Sequence, residues 1–269
     1  MHIFETPSDA CVTLLNHTIK NGVQHAPRNQ LIKETLGLHF RIEQPYHLPV
    51  TIHAGRNLNH AIGTVEALNL LGQTTTPELL ASATSVFNRY MNQNVLHGAY
   101  GPRVHGLLDD AVQQIEKDRD TRQAVIQIYN SRQDLNRDKN DIPCTIALQY
   151  FLRNDQLHAH TYMRSNDLYL GLPYDLFQFI SLQDAIAGHF DTPIGHYTHT
   201  VGSAHVYQQH WQHVDQYTPK WTDPGHPTYL YDPRPIGETS QRARAILNKQ
   251  PVDNPSWFET FMVEQLEWI

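Results

Sequence analysis

Apolar positions recur at helical spacing between residues 9 and 21, where Cys11, Leu14, Leu15, Thr18 and Ile19 share one face. That pattern predicts an amphipathic helix ended by Gly22. A loop through His25, Pro27 and Arg28 then leads into a strand over 36–42. Val65, Leu68, Leu70 and Leu71 mark a second helix over 64–71, stopped by Gly72. A third is expected over 77–93, because Pro77 suits a first helical position, and a fourth over 107–117. The period then falls to two: a strand at 123–129, and a hairpin of 148–152 with 157–163 around Asn154-Asp155. The run 176–187 reads as a long apolar helix. Strands and helices therefore mix along the chain, as in an α/β domain. No repeat, low-complexity stretch or linker-like tract interrupts it, so residues 1–269 are expected to form one domain.

Composition narrows the partners. At 269 residues and 40% hydrophobic content a sizeable core is affordable, yet no apolar run approaches the roughly 18 residues a membrane span needs. The first twenty residues include Glu5 and Asp9 instead of a basic start and an apolar stretch, so no secretory signal is expected and the cytoplasm is the default. Twenty basic against twenty-seven acidic residues, net −7, argue against a nucleic-acid-binding surface while leaving small anions open. With Cys11 and Cys144 alone, a disulfide framework is not expected, and one thiol is free for chemistry. Eighteen histidines, among them His189, His196, His199, His205, His210 and His213, raise the question of metal. No His-Glu-x-x-His or paired cysteine spacing supports it, and no metal site is expected.

The chemistry gathers in four blocks: Ile142-Pro143-Cys144-Thr145, Met163-Arg164-Ser165-Asn166-Asp167, Leu170-Gly171-Leu172-Pro173-Tyr174-Asp175 and Gly202-Ser203-Ala204-His205-Val206-Tyr207. Their order resembles the thymidylate synthase superfamily, closest to its bacteriophage deoxycytidylate hydroxymethylase branch. The resemblance is strong over 142–210, fainter over 55–129, and absent from the last fifty or so residues, which leaves 210–269 as a weakly matched tail. It implies a single-domain thymidylate synthase-like fold, a mixed β-sheet flanked by helices. It also implies 5,10-methylenetetrahydrofolate as co-substrate, a pyrimidine nucleoside monophosphate as substrate, and a homodimer.

By that resemblance Cys144 is the nucleophile. A thiolate adding at carbon 6 makes carbon 5 of a pyrimidine reactive, and nearby positive charge from Arg164 would favour the thiolate. An inert half-buried cysteine after a proline is the plainer reading. Arg164 and Ser165 resemble a phosphate pair, for which a guanidinium fork and a hydroxyl are suited. Arg28 aligns with a further phosphate arginine, and Arg122 with one lent across a dimer interface, although Gln123 replaces its usual arginine neighbour. Alone, either arginine would read as a surface ion-pair partner. His205 and Tyr207, two apart and so on one face of a strand, resemble the pair that binds the sugar 3′-hydroxyl. Glu66 resembles the glutamate that relays protons through ordered water, against the ordinary reading of a solvent-facing helix residue. Asp167 and Gly171 resemble the folate contacts, and Tyr100 in Gly98-Ala99-Tyr100-Gly101 a further active-site tyrosine.

Asp175 stands where uracil-directed synthases carry asparagine. An ionised carboxylate only accepts hydrogen bonds, so it would oppose uracil O4, whereas it can accept from cytosine N4-H and interact with a protonated N3. Cytosine is therefore the expected base, although a helix N-cap ahead of 176–187 also explains an aspartate here. The segment 85–99 lacks the tryptophans that thymidylate synthases place before the matching tyrosine. Thr145 after the cysteine and Ser203 before the histidine also fit the hydroxymethylase branch. Water would then reach the intermediate, so hydroxymethyl transfer to dCMP is the expected reaction. A dCMP or CMP methylase, a CMP hydroxymethylase, a dUMP-specific enzyme and a non-catalytic nucleotide- or single-strand-binding module are the alternatives.

Overall fold

The computed structural model describes residues 1–50, 52–53, 56–93, 95–135, 141–212, 218–219, 233–267 and 269, with backbone only at 52, 53, 218 and 219. In chain order the elements are β1 (His2–Phe4), α1 (Pro7–Asn21), β2 (Val23–His25), β3 (Ile32–Ile42), β4 (Ile52–His53), α2 (His60–Leu71), α3 (Pro77–Ala83), α4 (Tyr100–Arg103) and α5 (Leu107–Lys117). Then come β5 (Val125–Gln127), α6 (Ser131–Asp134), β6 (Thr145–Arg153), β7 (Gln156–Asp167), α7 (Leu172–His189), β8 (Ile194–Tyr207), β9 (Thr218–Pro219), α8 (Ile236–Leu247) and α9 (Trp257–Leu266). Seven strands make one mixed sheet in the order β1-β3-β8-β7-β6-β5, with β2 on β3. The expected α/β fold, a mixed sheet flanked by helices, is what the chain forms.

Local chemistry accounts for the element ends. The α1 helix opens on a capping box in which Thr6 and Asp9 satisfy each other's backbone N–H groups, and the Gly22 N–H donates to the Thr18 carbonyl at its end. The hairpin of β6 and β7 turns at Asn154 and Asp155, whose φ values of 52° and 54° suit a tight two-residue turn. Helix α7 is buried from Leu172 to Gly188 apart from Tyr174, which is why its apolar residues lie on every side of the helix. It crosses from β7 to β8, and a crossover of this kind is what lets those strands run parallel.

Two expectations are corrected. The third helix stops at Ala83 instead of running to residue 93: Thr84 is extended, and a short 3-10 turn at Phe87–Arg89 follows. Val86 and Tyr90, four residues apart beyond that end, are exposed. The strand over 123–129 is regular only at Val125–Gln127; beyond it, Ile128 and Tyr129 both donate their N–H groups to the Ile146 carbonyl.

The weakly matched tail contributes to the core. Helices α8 and α9 pack on α2, and α8 also touches α7. Phe258 is fully buried with its ring 5.5 Å from that of Phe177, and Phe261 lies against His60 and Phe177. Arg242 holds Glu259 by paired bonds of 2.7 and 2.8 Å that tie the two tail helices together.

Candidate active site

Cys144 sits where the β6 and β7 ladder departs from regularity. The pairing that runs from Arg153 opposite Gln156 to Ala147 opposite Tyr162 would, if continued, set Cys144 against Ser165. A bulge between Thr145 and Ala147 inserts Ile146, and the Arg164 N–H donates instead to the Cys144 carbonyl at 2.9 Å. The Arg164 guanidinium then wraps the segment, donating to the Pro143 and Ile142 carbonyls at 2.9 Å each and lying 3.7 Å from Cys144 Sγ.

The surroundings of that thiol oppose one another. Burial pushes its pKa up, and Asp175 and Asp141 add to the rise, while Arg164 and Arg28 pull it down. The net direction is upward, so the expected arginine effect is present but outweighed. The second thiol, Cys11, is buried in α1 with its pKa pushed up to about 12 by burial.

Asp175 lies in the first turn of α7 and is 8% exposed. The helix begins at Leu172 after Gly171, so Asp175 is not its N-cap. Its Oδ2 accepts from Asn166 Nδ2 at 2.7 Å and its Oδ1 from Gln178 Nε2 at 3.2 Å. Burial nevertheless pushes its pKa up to about 7, against those two hydrogen bonds. Glu66, on α2, is half-buried, with Oε2 sealed off and without a hydrogen-bond partner. Burial and the charge of Asp175 raise its pKa to about 8, so it does not behave as a solvent-facing helix residue. The Tyr100 ring stacks on Phe179 at 6.0 Å. Its hydroxyl lies near Thr145 and feels Asp175, Cys144 and Glu66, while Thr145 Oγ1 is itself buried without a well-formed bond. Five side chains from α2, α4, β6, α7 and the residue before β6 thus converge.

The parallel register of β7 and β8 builds the adjoining wall. It sets Ser165 beside Ser203, Asn166 beside Ala204 and Asp167 beside His205. Asp167 Oδ1 accepts the N–H groups of Tyr169 and Leu170 at 2.8 and 2.9 Å, and burial raises its pKa. A Cβ on Gly171 would lie 3.1–3.3 Å from the Asp167 carbonyl, Asn166 Nδ2 and Asp175 Oδ2, so a side chain there would crowd this corner. The rings of His205 and Tyr207 meet edge to face at 5.2 Å. Arg28, with φ of 52°, reaches Tyr207 and the field of Cys144. Arg122 is not brought in: it is exposed, and by strand register it falls opposite the far end of β6, roughly 25 Å from Cys144.

Three polar groups here were not singled out from the sequence as site residues. Asn166 clamps Asp175, Gln178 holds its other oxygen, and Glu34 on β3 accepts a hydrogen bond from Ser203 while paired in register with His205. The Ser203–Glu34 bond supplies a carboxylate beside the serine that precedes Ala204 and His205. The numerous histidines have other employment: His189 bonds Glu116 and the Ile236 N–H, His199 packs on Phe40, His158 on His196, and His210 on Tyr169. His213 lies outside the described residues, and among those described no group of three or more His, Cys, Asp or Glu could hold a metal ion. Nor is any described helix long and apolar enough to cross a membrane.

A family model described as thymidylate synthase matches residues 12–231. The deoxyuridylate hydroxymethyltransferase of Bacillus phage SP01 is 31% identical over 235 residues, covering 81% of this chain and 60% of that protein. The chain thus spans about 60% of the length of the curated relative it matches.

Proposed function

This chain belongs to the thymidylate synthase family, and we propose that it adds a hydroxymethyl group to carbon 5 of dCMP, consuming 5,10-methylenetetrahydrofolate and water. When bound, the folate supplies the one-carbon unit. The corner formed by Gly171, Asp167 and Asn166 fits such a group, because it is open only while residue 171 lacks a side chain and it offers a carboxylate to a ring N–H. No metal enters this reading.

The observation that carries the base assignment is Asp175, a buried carboxyl gripped through both oxygens and titrating near neutrality. In its acid form it offers cytosine a donor for N3 and an acceptor for N4-H. Cys144 adds through Sγ to carbon 6, which turns carbon 5 into a nucleophile. The ring stays attached to sulfur while carbon 5 gains the one-carbon unit and loses its proton, the unit's bond to the folate nitrogen breaks with release of tetrahydrofolate, and an exocyclic methylene remains on carbon 5. Hydroxide from water then adds to the exocyclic carbon, and the C6–S bond breaks to restore the aromatic ring. Glu66, protonated at neutral pH, is the group on this chain that relays protons with ordered water. Arg164, Ser165 and Arg28 hold the phosphate, His205 and Tyr207 the sugar, and Tyr100 closes the site between Cys144 and Asp175. In a homodimer Arg122 joins the phosphate group of the partner's site, which fits its exposure at the sheet edge.

Water addition is supported by the segment 85–99, which bears Tyr90 and several amides and no tryptophan. A second reading, dUMP as substrate, is favoured by the activity for which the SP01 relative is named. The neutral Asp175 could serve uracil too, accepting from N3-H and donating to O4. Supplying dCMP, CMP and dUMP separately with methylenetetrahydrofolate and weighing the products tests both readings. A product heavier by CH2O marks hydroxymethylation and one heavier by CH2 marks methylation; turnover of dUMP alone would overturn the cytosine assignment.

A further inference from the structure

Asp141 lies three residues before Cys144 and has no part in the roles above. Its Oδ2 accepts the Gly98 N–H at 2.7 Å. Gly98 begins the loop that delivers Tyr100, so one carboxylate spans the two segments that carry the thiol and the tyrosine. The approach is close: a Cβ on Gly98 would lie 2.6 Å from Asp141 Oδ1. Behind this contact stands a buried anchor. Asp134 is 1% exposed and accepts from Arg103 at 2.8 Å on each oxygen, and it lies 2.8 Å from His97 Nε2 and 2.7 Å from the Asn130 N–H. Arg103 also donates to the His97 carbonyl at 2.8 Å and the Ile128 carbonyl at 2.9 Å. Residue 97 is therefore fixed from behind, and Asp141 transfers that fixity to the segment leading to Cys144.

We propose that Asp141 is a positioning residue, buckling the Gly98–Tyr100 loop to the Cys144 segment so that thiol and tyrosine hydroxyl face one bound ring. The inference rests on Cys144 being the nucleophile proposed above. The buckle also has an electrostatic side. The groups facing Asp141 are His97, Arg103 and Asp134, and those facing Cys144 are Arg164, Arg28, Asp175, Tyr100 and Asp141 itself. A negative charge at 141 disfavours the thiolate, whereas its hydrogen bond favours the working geometry.

The two effects separate in paired variants. Asp141→Asn keeps an acceptor for Gly98 and removes the charge; Asp141→Ala and Gly98→Ala break the buckle. Iodoacetamide alkylation of Cys144, followed by mass spectrometry across the thiol's titration, reads the charge without turnover, and buried Cys11 does not compete. Asp141→Asn is expected to shift the alkylation midpoint down by about half a pH unit or more. Asp141→Ala and Gly98→Ala are each expected to lower kcat about tenfold or more with nucleotide KM within about twofold, and to be non-additive together. Should Asp141→Ala fail to fold, Gly98→Ala and Asp141→Asn carry the test. An unmoved midpoint in Asp141→Asn, or kcat retained in the folded buckle-breaking variants, overturns the proposal. Turnover retained in Cys144→Ala would instead defeat the nucleophile assignment, leaving the alkylation result readable.

Discussion

The side-chain amide of Asn166 donates to Asp175 Oδ2 across 2.7 Å inside the protein, joining the end of β7 to the first turn of α7. This bond fixes which way the Asp175 carboxyl faces, and Gln178 prevents rotation from the other side. In the proposed role, a group fixed in this way would read a base edge by its proton inventory alone.

Asp175→Asn is accordingly expected to move the kcat/KM preference toward uracil by about 100-fold or more, since an amide accepts from N3-H and donates to O4. Competition between dCMP and dUMP in one vessel measures the ratio; a ratio equal to wild type removes Asp175 from base selection.

Cys144→Ala is expected to lower turnover by about 10³-fold or more, equivalent to about 4 kcal/mol of barrier, with nucleotide binding kept within a few-fold. Calorimetric titration with dCMP separates the two quantities.

Glu66 titrates near pH 8 in the folded chain against an ordinary 4.5. Its folded-state pKa is raised, so the stability it permits is fully present below about 4.5 and is lost as pH climbs through about 8. Glu66→Gln should match wild type in denaturant unfolding near pH 4.5 and exceed it above pH 8, by on the order of 1–3 kcal/mol after allowance for partial exposure. A gap that closes with rising pH contradicts the assignment.

Burial holds His199 at about 3 and His160 and His196 at about 4, all below the usual 6.5. Depressed histidines bind protons only on unfolding, so stability falls as pH drops from 6.5 toward 4. His199→Gln should flatten that fall by about one proton in the pH dependence of the urea midpoint.

Phe258→Ala, in a helix beyond the matched family region, is expected to cost about 3–5 kcal/mol because its ring is fully enclosed against α2 and α7. Thermal unfolding checks this, and a loss under about 1 kcal/mol would show the tail to be a loose appendage.

What could be read from the chain depended on how local its cause was. The hairpin at Asn154-Asp155 and the helix Leu107–Lys117 follow from neighbouring residues, and both lie where the pattern put them. Cys144, Asp175 and Glu66 carried motif signals, and they converge in space. The failed continuation past Ala83 shows the limit, for Val86 and Tyr90 keep helical spacing yet have no surface to cover. Asn166 and Glu34 gain their partners only through strand pairing and crossover, and Asp141 gains Gly98 from 43 positions away. Local spacing could not give those neighbours.

The extra residue at Ile146 is what lets a strand one residue too long still bring sulfur and cation face to face. Paired without the bulge, Ser165 would take the place opposite the sulfur; with Ile146 deleted, the hairpin would zip in even step and Cys144 would stay opposite Arg164, so the excess bears on the bend of this strand end and not on which residues meet. Conservative swaps of Ile146 should be silent, which makes this half-exposed isoleucine a spacer whose side chain does not matter.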